Sequence, residues 1–145
     1  MICAAVSGEM ICGDAEHTVT SVTTDSRTKN GGLFIALKGE RFDANDFVSG
    51  YLENGDSALV SRKMPPVPGK NIVYVPDTGK ALLALAGAYR QLFDIPVIGI
   101  TGSVGKTSTK EMIYSVLSQK LRAMKTDGNF NNEIGVPLTL FRLED

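Results

Sequence analysis

The sequence predicts an α/β chain in two parts: a small mixed α/β unit over residues 1–93, then the truncated opening of a parallel α/β unit over 94–145. Three observations predict it. Short apolar runs bounded by turn residues alternate with stretches whose apolar side chains recur at helical spacing. One such run, Val97-Ile98-Gly99-Ile100, passes through a glycine-rich turn straight into a helical stretch. Beyond that helix the chain offers a single further strand candidate, where a doubly wound sheet has about four to six strands.

The first unit opens with a short amphipathic turn or helix, followed by Met10-Ile11-Cys12 as a strand closed by Gly13-Asp14. Val19 and Val22 lie among Ser and Thr residues, a composition suited to another strand. After Thr24-Asp25-Ser26-Arg27, the run Lys29-Asn30-Gly31-Gly32 reads as a turn, and 33–37 is the clearest strand of this half. A charged loop over 38–46 precedes a short helix with Phe47, Tyr51 and Leu52 on one side, ending near Asn54-Gly55. Ala58-Leu59-Val60 and 72–75 are short buried strands, joined by the irregular Met64-Pro65-Pro66-Val67-Pro68-Gly69. Asp77 or Thr78 can cap the next helix, whose stripe is Leu82, Leu85, Tyr89 and Leu92 and which Phe93-Asp94-Ile95-Pro96 stops.

In the second unit the strand over 97–100 is followed by a helix from Lys106 with Ile113, Val116, Leu117 and Leu121 along one stripe. Residues 122–126 form the next strand candidate. A polar loop over 128–135 leads to Pro137, which suits the first turn of a helix running to Leu143.

Bulk properties exclude several classes. With 43% apolar and 21% charged residues and a net charge of −1, the composition is globular and carries no electrostatic footprint for nucleic acid or an anionic membrane. No run approaches the roughly 18 apolar residues of a membrane span. The N-terminus lacks a basic region, and Glu9 interrupts its apolar stretch, so it does not read as a signal peptide. A cytoplasmic location follows as the expectation. Cys3 and Cys12 match no zinc or redox spacing and read as reduced thiols, and His17, the single histidine, reads as a surface loop residue.

Strand, two glycines, Gly-Lys-Thr and helix form the layout of a nucleotide phosphate loop. Gly102 and Gly105 let backbone N–H groups curl round an anion, and the free N–H groups of the first helical turn add donors. The loop Thr101-Gly102-Ser103-Val104-Gly105-Lys106-Thr107-Ser108 would thus bind ATP. Lys106 would reach the β- and γ-phosphates and the Thr107 hydroxyl would ligate Mg²⁺. The strict pattern wants glycine at position 100, where this chain has Ile100. The other reading is a glycine-rich turn with a surface lysine.

Three further groups keep two readings each. Asp25-Ser26-Arg27 is either a local Asx-turn with a solvated arginine or a hydroxyl–guanidinium pair for an anionic ligand. Asn129, Asn131, Asn132 and Glu133 are either turn-formers or groups addressing metal-bound phosphates or a reacting carboxylate. Asp43 and Asp46 read better as a solvated loop than as a catalytic pair.

Together, Thr24-Asp25-Ser26-Arg27, Gly32-Leu33-Phe34-Ile35-Ala36-Leu37-Lys38-Gly39, Phe42-Asp43-Ala44-Asn45-Asp46-Phe47, the segment Gly99 to Thr107 and Asn131-Asn132-Glu133-Ile134-Gly135-Val136-Pro137 resemble the Mur ligase family. The resemblance covers nearly the whole chain. It also accounts for Ile100, because the family's loop is Thr-Gly-x-x-Gly-Lys-[Thr/Ser]. It implies a first domain binding a UDP-N-acetylmuramoyl peptide, with Ser26, Arg27, Lys38, Gly39 and Asn45 at the matching positions. A central ATPase domain would begin at the phosphate loop, with Asn131 and Asn132 lining the ATP site.

The activity implied is ADP-forming amide-bond formation through an acyl phosphate, with D-alanyl-D-alanine as the second substrate. A ligase adding lysine or diaminopimelate to the UDP-muramoyl dipeptide, and a non-catalytic module for UDP-sugar precursors, are the alternatives. A small P-loop kinase or GTPase fits less well, since no guanine-type Asn-Lys-x-Asp is present. Asn45 stands where the family often has histidine. The family's metal-binding glutamate, carbamylated lysine and third domain are expected beyond residue 145. The chain by itself is expected to be inactive, with self-association possible through exposed sheet edges at 97–100 and 122–126.

Overall fold

The computed structural model describes residues 1–28, 32–128 and 130–144. The expected turn at Lys29, Asn30 and Gly31, and Asn129 of the polar loop, lie outside the described residues.

Five strands form one mixed sheet in the order β1-β5-β4-β3-β2. They are β1 (Glu9–Cys12), β2 (Val22–Thr23), β3 (Leu33–Ile35), β4 (Ser57–Val60) and β5 (Asn71–Tyr74). β1 runs antiparallel to β5 and the other three pairings are parallel. The period of two decides the layering. Leu33, Ile35, Leu59, Val73 and Val75 face one side, where Val6 of α1 (Ile2–Val6) and Ala81, Leu82 and Leu85 of α3 (Thr78–Arg90) close the core. Phe34, Ala36, Ala58, Val60 and Ile72 face the other, under Ala44, Val48, Tyr51 and Leu52. Those last residues come from a 3-10 turn (Ala44–Phe47) and α2 (Val48–Leu52). Because β3, β4 and β5 are covered on both faces, they read as continuous apolar runs.

Local chemistry sets the ends of these elements. Asp77 caps α3 by accepting from the Lys80 N–H at 3.0 Å, and the buried Thr78 hydroxyl donates to the Ala36 carbonyl at 2.9 Å. Tyr51 stacks on Phe34 with ring centroids 4.9 Å apart and donates to the Gly32 carbonyl at 3.1 Å. Gly55 must be glycine, since a Cβ there would stand 2.2 Å from the Tyr51 ring.

The second half departs from expectation. Residues 97–100 and 122–126 are not strands, and Val97 and Ile98 are 66% and 57% exposed. A strand needs a partner for its N–H and C=O groups, and among the described residues nothing pairs with either segment. The parallel sheet expected for the second unit is therefore not formed here, and the edge expected to carry self-association does not exist as a strand.

The helix after the glycine turn does form, as α4 (Lys106–Leu117), but none of its residues is buried, and Val116 of the expected stripe is 70% exposed. α5 (Gly135–Leu140) packs instead on the first unit. Tyr89 of α3 donates to the Leu143 carbonyl at 2.8 Å, and its ring lies 5.7 Å from that of Phe141. Among the described residues no helix is long and apolar enough to cross a membrane.

Candidate functional site

Parallel strands that share a direction deliver their following loops to one edge of the sheet, the usual place for ligands in α/β folds. Here β2, β3 and β4 end at Thr23, Ile35 and Val60. The loops that follow carry Ser26 and Arg27, then Lys38, Gly39 and Asn45, then Ser61 and Arg62. All the first-unit residues expected to bind substrate thus lie at the carboxyl edge.

The turn over 23–28 is held by local polar bonds. Asp25 accepts from the Arg27 backbone N–H at 2.9 Å, and takes Nε and Nη2 of the same residue at 2.8 and 2.7 Å. The Asx-turn reading is therefore the geometry present, with an exposed arginine whose remaining N–H groups face outward from the pair. Hydrogen bonds from the Arg27 side chain, then from its backbone N–H, hold the Asp25 carboxyl at about 2, below its ordinary 3.8. The sign follows from the depression: the pair contributes fully above about pH 4 and is lost as pH falls through about 2. An NMR titration of the Arg27 Nε–H should show its inflection near the lower value. Titration at the ordinary carboxylate value would mean that the pair does not persist in solution.

In the next loop, Gly39 donates to the Phe42 carbonyl at 3.0 Å and Lys38 bridges to Asp43. Asn45 is fully engaged within the protein. Its Nδ2 donates to Asp43 Oδ1 at 2.6 Å and Ser61 Oγ at 3.0 Å, and its Oδ1 accepts from the N–H groups of Ser61 and Arg62 at 3.0 and 3.2 Å. Arg62 then closes the brace, with Nη1 on Asp46 at 2.6 Å and Nη2 on Asp43 at 3.0 Å. Hydrogen bonds from the Asn45 side chain and backbone lower the Asp43 pKa, with the charge of Arg62 adding to them. The two aspartates are thus tied down structurally, as the solvated-loop reading had it. Sequence reasoning missed Arg62, whose partners lie 16 and 19 residues away.

The glycine turn has the conformation its residues were expected to allow. Gly102 and Gly105 have φ of 146° and 81°, in the region that favours glycine, and Gly105 is the N-cap of α4. Residues 101–109 are all exposed, so Ser103, Val104, Thr107 and Ser108 present their backbone and side chains to solvent. Lys106 folds back to donate to the Gly102 carbonyl at 2.5 Å, the only internal bond of its ammonium among those described. One turn later, Lys110 is only 17% exposed and donates to the carbonyls of Thr126 and Gly128. Nothing in the local spacing had marked it out.

Asn132 caps α5: its Oδ1 accepts from the Gly135 N–H at 2.7 Å and the Ile134 N–H at 3.2 Å. Its Nδ2 is not used in that cap. Asn131 and Glu133 are exposed. A cavity of about 490 Å³ lies at the opposite end of the sheet between Cys12, His17, Pro66, Val67, Lys70 and Asn71. It gathers none of the expected site residues. His17 lines it from a loop, as expected, but half-buried, with Nε2 3.5 Å from Asp56 Oδ2. Both cysteines are free thiols, as expected.

Comparison with known proteins bears on the whole chain. Residues 100–145 match the Mur ligase middle domain. The UDP-N-acetylmuramoyl-tripeptide–D-alanyl-D-alanine ligase of Bacillus subtilis is 45% identical over 144 residues, 97% of this chain and 32% of the relative. The Escherichia coli ligase of the same name is 45% identical over 130 residues, 89% of this chain and 28% of the relative. Among solved structures, MurF from Acinetobacter baumannii superposes with a TM-score of 0.90 at 38% identity, covering 99% of this chain and 32% of that one. MurF ligase from Thermotoga maritima, solved in complex with ADP, superposes with a TM-score of 0.75 at 37% identity, covering 83% of this chain and 28% of that one. The resemblance to the Mur ligase family is shown, and the chain spans about a third of the length of the relatives it matches.

Proposed function

We propose that this chain, similar over nearly its whole length to about a third of Mur ligases named for D-alanyl-D-alanine addition, is part of an ADP-forming amide ligase of peptidoglycan precursor synthesis. The observation that carries the reading is the 45% identity over 144 residues, a match running through both the 24–27 turn and the phosphate loop.

In the reaction so assigned, a carboxylate oxygen of the UDP-N-acetylmuramoyl tripeptide takes the γ-phosphoryl group of ATP, giving an acyl phosphate and ADP. The amine of D-alanyl-D-alanine then attacks the acyl carbon. An amide forms, phosphate leaves and the amine loses its proton. This is a cytoplasmic step in the proposal, since ATP and the UDP-linked precursor both belong there.

Residues 1–93 would hold the UDP-muramoyl moiety at the carboxyl edge of the sheet, with the Ser26 hydroxyl and the outward N–H groups of Arg27 on phosphate oxygens. Lys38 and the backbone at Gly39 would stand in the neighbouring loop that Asn45 braces. Residues 94–145 would open the ATP-binding unit. The positive-φ glycines, the exposed start of α4 and an ammonium resting on a backbone carbonyl fit a triphosphate. Lys106 would exchange the Gly102 carbonyl for the β- and γ-phosphates, and the free Nδ2 of Asn132, with Asn131, would face the nucleotide. Mg²⁺ would offset phosphate charge and take the Thr107 hydroxyl as a ligand.

Binding of the first substrate is testable on this chain directly. UDP-muramoyl tripeptide should perturb amide shifts at residues 23–28 and 38–47, and Arg27→Ala should weaken binding by about 1.5–3 kcal/mol, the range for a hydrogen bond to a charged group. Perturbations clustered instead around His17 and residues 66–71 would sink the assignment of this edge.

A further inference from the structure

Lys110 lies one helical turn beyond Lys106 on α4, yet the two ammonium groups are in opposite situations. Lys106 is exposed and rests on one carbonyl. Lys110 is mostly covered and surrounded by acceptors: Thr126 O at 2.6 Å, Gly128 O at 3.1 Å and Glu111 Oε1 at 3.6 Å. The two carbonyls take two of the three N–H donors of the ammonium, and the Glu111 carboxylate beside them adds charge attraction.

The two carbonyls are two residues apart and converge on one cation. The chain manages this by turning at Gly128, whose φ of 46° is left-handed. A second tie lies beside the first, where Lys125 pairs with Glu111 and stands 4.4 Å from the Tyr114 ring centroid. On the far side, Asp127 pairs with Arg142, just past the end of α5, and Asn132 caps the start of that helix. Lys110 therefore anchors, from the phosphate-loop helix, the turn through which the chain approaches Asn131 and Asn132.

We infer that Lys110 is a positioning residue: it gathers the 126–128 turn onto α4 and so fixes where Asn131 and Asn132 stand relative to the phosphate loop, without touching the nucleotide. The inference rests on the proposed reading of Lys106 and the two asparagines as ATP-site residues. A displacement of about 1 Å among groups that must act together can lower a rate about 100-fold.

The experiment uses the full-length gene product with Lys110→Met, which keeps the stem and removes the charge, and Lys110→Arg, which keeps a cation. In Lys110→Met, kcat/KM for ATP should fall about 10- to 100-fold, while KM for the UDP-muramoyl tripeptide stays within about twofold; Lys110→Arg should recover part of the loss. Amide exchange across residues 126–136 should quicken about tenfold or more, with the amides of β3, β4 and β5 unchanged as the control for folding. Unchanged ATP kinetics in Lys110→Met would overturn the inference, as would unchanged exchange at 126–136. Complete loss of ATP binding, matching Lys106→Ala, would also overturn it, because Lys110 would then be a direct phosphate ligand. If Lys106→Ala itself leaves ATP binding intact, the ATP-site reading fails separately, and the exchange measurement still decides whether Lys110 holds the turn.

Discussion

Replacing Lys106 with alanine should remove Mg-ATP binding from the full-length protein, weakening it by roughly 100-fold or more. The estimate takes two hydrogen bonds from the ammonium to the β- and γ-phosphates, each about 1.5–3 kcal/mol when charge-assisted, against 1.4 kcal/mol per factor of ten. No other cation described near the loop can substitute. Lys110 is held by two backbone carbonyls beside Glu111, and Lys125 is paired with Glu111 over the Tyr114 ring. The fold should survive, since Lys106 is exposed and its one internal bond is to a carbonyl that water can serve. Calorimetry with Mg-ATP checks it. Unchanged affinity in the variant would remove the phosphate loop from the account.

The second large effect concerns the two halves of the chain. The sheet formed by β3, β4 and β5 has Phe34, Ile35, Leu59 and Ile72 fully buried, whereas α4 has no fully buried residue and covers Lys110, Ile113, Tyr114 and Leu117 only in part. In the isolated chain the amides of β3–β5 should exchange only with global unfolding, and those of α4 should exchange about 10³-fold faster or more. A helix of 12 residues whose single covered stripe is only half-buried has little tertiary packing to hold it. The same contrast predicts no turnover by these 145 residues alone. Acyl-phosphate chemistry needs the phosphoryl group, metal, carboxylate and amine held together. Equal protection in α4 and the sheet would contradict this account of the second half.

What was legible in the sequence was what local pattern encodes. Strands β3, β4 and β5 stood out because burial on both faces makes each a short apolar run, and α3 because Asp77 caps a regular stripe. The glycine turn at 102–105 was legible because positive φ demands glycine there. The strands expected at 97–100 and 122–126 failed for a physical reason. The β-branched run over 97–100 supplies one half of a ladder, and the described chain supplies no other half for it or for the mixed segment over 122–126. Asn45 illustrates the opposite gap: the family resemblance alone singled it out, and local pattern gave no sign that Ser61 and Arg62, 16 and 17 residues on, donate to its amide oxygen. Arg62, Lys110 and the His17–Asp56 contact were invisible for the same reason, because their partners meet only when the chain folds.

ADP release by the full-length gene product, measured with each precursor and amine in turn, tests the central claim most directly. Release is expected at an ordinary enzymatic rate, about 1–10³ s⁻¹, only when ATP, UDP-N-acetylmuramoyl tripeptide and D-alanyl-D-alanine are all present. Release supported by the UDP-muramoyl dipeptide with lysine or diaminopimelate would assign the chain to the preceding ligase. No release with any combination, alongside tight binding of the UDP-precursor, would contradict catalysis and leave a binding module.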